Sequence, residues 1–100
     1  MEDLGHAQDN MKLPAILDMT AAAPLRDALL SRRGHDIQVD GADVQRLGAQ
    51  CLQVLLAART TWDSDGHSLL ITSCSMDLIA ALELFGVAPE TLTRIPPMAA

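Results

Sequence analysis

Short apolar runs alternate along this chain with longer stretches whose apolar residues recur every three or four positions, the respective signatures of strands and helices. The run 13-LPAIL-17, bounded by Asp18, reads as a strand. Thr20 follows as the cap of a helix whose Ala21, Leu25, Ala28 and Leu29 share a face, with Pro24 tolerated near the first turn. Arg32 and Arg33 complement the dipole at its far end, and Gly34 stops it. In 36-DIQVD-40 the alternation predicts a strand with one face buried and one wet. The stretch 44-VQRLGAQCLQVLLAA-58 begins as a turn and becomes a helix with Leu47, Cys51, Val54, Leu55 and Ala58 as its inner stripe, widened by Leu52 and Leu56. A turn at 63-DSDG-66 leads into 69-LLIT-72, whose continuous apolar run predicts a central strand. Ser75 caps a third helix with Leu78, Ile79, Leu82 and Phe85 facing inward, and Gly86 ends it just before Pro89.

Strand followed by helix, three times over with short connections, makes a small α/β domain. Helical crossovers force neighbouring strands to run parallel, with right-handed connections. The half-wet strand at 36–40 places the helices mainly on one face of the sheet. Residues 1–11 are polar and unpatterned and are expected to form a loose N-terminal tail, residues 12–90 the domain, and the proline-interrupted residues 91–100 a fraying C-terminal tail.

One hundred residues suffice for a single core that buries roughly 65% of the unfolded surface. Apolar residues are 49% of the chain but aromatics only 2%, Trp62 and Phe85, so the core is expected to be built of Leu, Ala, Val and Ile. The formal charge of −6, with one lysine and six arginines, excludes the basic footprint of a duplex binder. The lack of aromatics leaves no stacking platform for single strands. An anionic membrane would repel such a domain, and no apolar run approaches the roughly 20 residues of a membrane span. The acidic opening MEDLGHAQDNM has no signal-peptide character, and two distant cysteines give neither a CxxC motif nor a disulfide framework. A cytoplasmic protein with reduced thiols and a protein partner is the expectation.

The chemistry-bearing residues do not converge. His6, His35 and His67 lack ligand spacing, so no metal and no cofactor are expected. The segment from Asp63 opens like a calcium loop but has Ser68 where glycine is needed and Cys74 where a carboxylate is needed. Ser73 and Ser75 lack the G-x-S-x-G elbow, and no glycine-rich phosphate loop is present. Cys51 stands at a helix N-terminus, where a thiol can become reactive, which leaves a thiol-based redox sensor or enzyme as the one catalytic alternative. Its place on the inner stripe favours packing. No enzyme is expected. The remaining signal is topological, since parallel sheets gather function where strand ends feed helix starts. There Asp40, Gln45, Arg46 and Gln50 surround the small residues Gly48 and Ala49, a surface suited to close approach by a protein partner.

The segments 36-DIQVDGADVQRLGAQCLQVLLAA-58 and 69-LLITSCSMDLIAALELFGV-87 resemble the STAS domain, the family of anti-sigma-factor antagonists and of the cytoplasmic domains of sulfate transporters. The resemblance covers most of residues 13–87. It implies a STAS-like sandwich: a mixed, mostly parallel sheet of four to five strands with helices packed mainly on one face. It also implies a non-catalytic role in binding proteins. In partner-switching members the helix begins Asp-Ser-Ser-Gly, and a serine there is phosphorylated to release the partner. Laid on this chain, those positions are Gly48, Ala49, Gln50 and Cys51, so the acceptor position is Gln50, which cannot be phosphorylated. The wording VQRLGAQC-x-QVLL is most similar to small single-domain STAS proteins of bacterial chemotaxis gene clusters, which implies a histidine kinase or its associated proteins as partner. Anti-sigma-factor antagonism, or service as a cytosolic subunit of a lipid-transport ABC system, is the alternative within the family.

Overall fold

Among the described residues Met11 is the first apolar side chain packed against the core, and it lies in the first strand. The structure, a computed structural model, describes residues 9–93. Its elements in chain order are β1 (Asp9–Lys12), β2 (Ile16–Leu17), a 3₁₀ turn (Met19–Ala21), α1 (Ala22–Leu30), β3 (Ile37–Asp40), β4 (Arg46–Leu47), α2 (Ala49–Ser64), β5 (Leu69–Thr72), α3 (Met76–Leu84) and α4 (Glu90–Thr93). Strands β1, β3 and β5 form a parallel sheet in that order, and β2 pairs with β4 in a second parallel ladder. All ladders among the described residues are parallel, an α/β arrangement with strands split three and two.

Register explains the sheet's two faces. Ile37 pairs with Leu69 and Val39 with Ile71, and all four are buried. The intervening Gln38, Asp40, Leu70 and Thr72 are half-buried and lie on the opposite face with exposed Asn10 and Lys12. The alternation expected of 36–40 is thus present, and the helices bury the face that carries Ile37 and Val39.

Several elements depart from the sequence pattern for identifiable reasons. The strand expected over 13–17 shrinks to Ile16–Leu17 because Pro14 offers no N–H; Leu13 instead donates to the Asp40 carbonyl at 2.9 Å, prolonging the β1–β3 ladder. The first strand therefore begins at Asp9, inside the segment expected to be a loose tail. Asp18, not Thr20, caps the following turn: its carboxylate accepts from the Thr20 amide at 3.1 Å and the Thr20 hydroxyl at 2.7 Å. Leu47 belongs to β4 rather than to α2. β5 lies at the sheet edge and β3 at the centre, so the run LLIT alternates in burial like β3. Phe85, expected to face inward, is 44% exposed at the end of α3.

Among the described residues the core is aliphatic apart from Cys51 and Trp62; Trp62 is 1% exposed on the last turns of α2 and donates its indole N–H to the His35 carbonyl at 2.9 Å. At the other end of the chain, Leu92 of α4 is fully buried. Arg59 is 9% exposed; its guanidinium donates to the Thr91 carbonyl at 2.7 Å and lies 3.4 Å from Asp63. Residues 91–93 are thereby tied to α2 rather than frayed, while residues 1–8 and 94–100 of the expected tails, with His6, lie outside the described residues.

Candidate functional site

Two backbone clamps fix the ends of the strands. In the first, the β3–β4 loop is bound to the start of α3. Gly41 donates to Thr72 at 2.9 Å and accepts from the Ser75 amide at 3.1 Å, and Val44, itself 1% exposed, donates back to Gly41 at 3.3 Å. The Ser75 hydroxyl donates to the Val44 carbonyl and accepts from the Leu78 amide at 3.0 Å, so one side chain both caps α3 and holds the loop. Ser75→Ala removes both bonds and is expected to cost about 1–2 kcal/mol, as other cap deletions do. A lowered midpoint in urea at unchanged slope checks this.

The second clamp fixes the start of α2. The amides of Gln45 and Arg46 both donate to the Ala15 carbonyl, at 2.7 and 3.1 Å, and Gly48 donates to Leu17 at 2.8 Å. Behind them the Cys51 thiol, fully buried, donates to the Asp18 carbonyl at 3.3 Å. Gly48 occupies the N-cap with extended backbone and makes no side-chain cap. Ala49 and Gln50 are then carried outward on the first turn of a helix whose inner side is locked.

The clamp determines which of the predicted residues meet. Gln45, Arg46, Ala49 and Gln50 are exposed and Gly48 is half-buried, together forming the approach to α2. Asp40 does not join them. Its carboxylate accepts from the Ala42 amide at 2.9 Å, and the residue borders a shallow depression on the open sheet face with Asn10, Lys12, Gln38 and Thr72. Gln45 also lines a wide groove with Lys12, Asp43 and Asp77, and Gln50 lines a second groove between α1 and α2.

Two residues of this surface escaped the sequence pattern. Ile16 is the register partner of Arg46 and is 44% exposed, and Met19 is 69% exposed on the 3₁₀ turn that packs against α2. The signal for Ile16 was the period of two within 13–17. Leu13 and Leu17 are buried, so the residue between them in phase with Pro14 faces out.

Burial dominates the electrostatics of both thiols. Burial, and then the negative charge of Asp18, pushes the Cys51 thiol above its ordinary pKa; burial does the same to Cys74. Thiolate is disfavoured at both, the opposite of what a nucleophile requires. Asp18 is held below the usual carboxylate range, chiefly by the Thr20 hydroxyl. Lys12 pairs with Asp43 at 3.0 Å, and that hydrogen bond and charge, with Asp40 adding to them, raise its pKa. Among the described residues no three His, Cys, Asp or Glu side chains converge as metal ligands, and no helix is long and apolar enough to cross a membrane.

A protein-family model described as "Mlab, STAS domain" matches residues 1–94 of the chain. No curated protein matches it.

Proposed function

Because the chain belongs to the STAS family, a family of interaction modules that includes anti-sigma-factor antagonists, we propose that it works as a non-catalytic protein-binding module in bacterial signalling, in a chemotaxis or two-component pathway, with a histidine kinase or an associated protein as its partner. The observation that carries this reading is the outward presentation of Ala49 and Gln50 on a helix start clamped from behind, beside exposed Ile16 and Met19. A surface already ordered before binding loses little conformational entropy when a partner arrives. Arg46 supplies a cation and Gln45 and Gln50 supply amides for hydrogen bonds at its rim. Asp40 contributes from the neighbouring strand end rather than from the same patch.

Gln50 occupies the position of the family's phosphoserine, so no phosphate switches this surface there. Its amide offers hydrogen bonds where a phosphate would otherwise sit, and binding is set by partner levels or by control elsewhere. The localisation that follows is cytoplasmic, with no nucleic acid, cofactor or inserted membrane segment involved. A second reading keeps the surface and changes the partner to the ATPase of a lipid-transport system. The description of the matching family names Mlab and not a chemotaxis protein, which supports keeping it. The buried, proton-retaining Cys51 counts against the thiol-based alternative.

Wild type and Ala49→Arg, used as bait in native lysate with capture read by mass spectrometry, separate these readings. A histidine kinase or its coupling protein retained by wild type and lost with Ala49→Arg is the expected result, with both baits melting alike because Ala49 is exposed. Equal capture by both baits rejects the surface. A transport ATPase captured by wild type alone keeps the surface and replaces the pathway.

A further inference from the structure

A second apolar feature lies on a different helix and is not used by the surface just described. On α3, Met76 and Leu84 are 86% and 87% exposed, and Ala80 between them is exposed too. At about 100° per residue these positions, i, i+4 and i+8, form one stripe along the outer side of the helix. Leu78 and Leu82, both fully buried, hold the opposite side in the core. Asp77 flanks the stripe on one side and Glu83 on the other, and both are exposed.

The outer face of a solvated helix is ordinarily polar. Met76 and Leu84 bury almost nothing here, so they contribute little to the fold, and an apolar stripe on a helix face marks a contact surface more often than a scatter of single residues does. The charge on this helix and on the segment that follows it is of one sign. From Met76 to Thr93 the chain has no Lys or Arg, whereas Asp77, Glu83 and Glu90 are acidic. A second copy of this chain would set carboxylates against carboxylates, in a molecule whose formal charge is already −6. An anionic membrane is repelled for the same reason.

We propose that the outer face of α3 is a docking surface for an amphipathic helix of a partner protein, one whose apolar stripe meets Met76, Ala80 and Leu84 and whose flanking Lys or Arg residues meet Asp77 and Glu83. The two helices pack as ridges into grooves, with the small Ala80 at the crossing allowing close approach. The apolar stripe lies on a different helix from Ala49 and Gln50, although Asp77 borders the groove that Gln45 also lines.

Two labelled amphipathic peptides with identical apolar positions, one flanked by lysines and the other by glutamates, test the inference by fluorescence anisotropy against the full chain. The lysine-flanked peptide is expected to bind and the glutamate-flanked one not to. Joint Met76→Ala and Leu84→Ala substitution is expected to weaken binding by about tenfold or more, with the unfolding midpoint unchanged because both side chains are exposed. Asp77→Asn with Glu83→Gln is expected to weaken it several-fold and to flatten its salt dependence. Ala49→Arg leaves this binding intact, so failure here and failure of the α2 surface are told apart. The inference is overturned by absence of binding, by equal binding of the two peptides, or by no loss on the alanine substitutions. It is equally overturned by sedimentation of the wild type as a dimer that those substitutions dissociate.

Discussion

Trp62→Ala is expected to remove about 3–5 kcal/mol of stability, the range for deleting a large buried aromatic. Trp62 is the bulkiest side chain of the core and is 1% exposed. It sits near the end of α2 and reaches the loop before β3, where its indole N–H satisfies the His35 carbonyl at 2.9 Å. Truncation leaves a cavity, removes the indole hydrogen bond to that carbonyl and loosens the contact between α2 and the 31–36 connection. The backbone bonds of the turn that follows, from Asp65 and His67 to the Trp62 carbonyl at 3.1 and 2.9 Å, are spared. The total stability of a domain this size is about 5–15 kcal/mol, so the loss approaches the threshold of unfolding. Urea titration followed by circular dichroism measures it, since the substitution removes the only tryptophan. Trp62→Phe keeps most of the volume and loses the hydrogen bond, for an expected cost nearer 1 kcal/mol beyond the packing change. A loss below about 1 kcal/mol for Trp62→Ala would show that the surrounding helices collapse into the space.

Gly41→Val is expected to be the next most damaging change, at about 1–3 kcal/mol, through overpacking. A β-carbon placed on Gly41 would lie 2.7 Å from Leu78 Cδ2 and 3.1 Å from Ile71 Cγ2. Leu78 is fully buried and Ile71 is 2% exposed, so neither has room to retreat. The backbone cannot yield cheaply either, because Gly41 is bonded to Thr72, Val44 and Ser75. The outcome is a displaced β3–β4 loop and a weakened start of α3. Gly41→Ala is expected to cost less, since one side-chain end can shift slightly. Gly48 makes the contrast: a β-carbon there meets only the Leu17 carbonyl oxygen at 3.4 Å and Asp18 Cα at 3.8 Å, so Gly48→Ala is expected to be mild. Thermal melts compare the three, with a shift of about 4–8 °C per kcal/mol for a domain of this size. Equal melting of Gly41→Val and wild type would contradict the packing described here.

Much of this architecture could be read in advance wherever one residue decides a local question. The period of two in Ile37 and Val39 set β3 correctly, because a strand half-covered by helices must alternate. Ser75 marked the start of α3, since a hydroxyl at the N-cap satisfies a backbone amide that otherwise has no partner. Gly86, with φ of 79°, marked its end, as only glycine enters that region without cost. The run 69–72 was correctly read as a strand but misplaced at the centre of the sheet, because apolar content reports burial and not strand order. Phe85 misled in the opposite sense: its hydrophobicity promised the core, while its position at the helix end left it half outside.

The surface around the start of α2 was legible only in part. That the start of α2 would be a small-residue turn with no hydroxyl at positions 48–51 is written in the sequence. Which neighbours share its surface is not. Ile16 comes beside Arg46 through strand pairing, and Met19 through packing of a 3₁₀ turn, both across many residues of chain. Asp40 was grouped with Gln50 by its place at a strand end, yet it faces the open side of the sheet, where Lys12 is its register partner.

The sequence alone determined the alternation of β3, α2, β5 and α3, the one-sided burial of β3, the acidic composition and the absence of a hydroxyl at positions 48–51, because each depends on residue type or on spacing within one segment. The tertiary structure decided that the strands divide three and two, that Trp62 and Leu92 close the core, and that a clamp of backbone hydrogen bonds to the Ala15 and Leu17 carbonyls leaves Ala49 and Gln50 exposed on the first turn of α2. These depend on contacts between segments distant in sequence, whose geometry is settled only when the core packs.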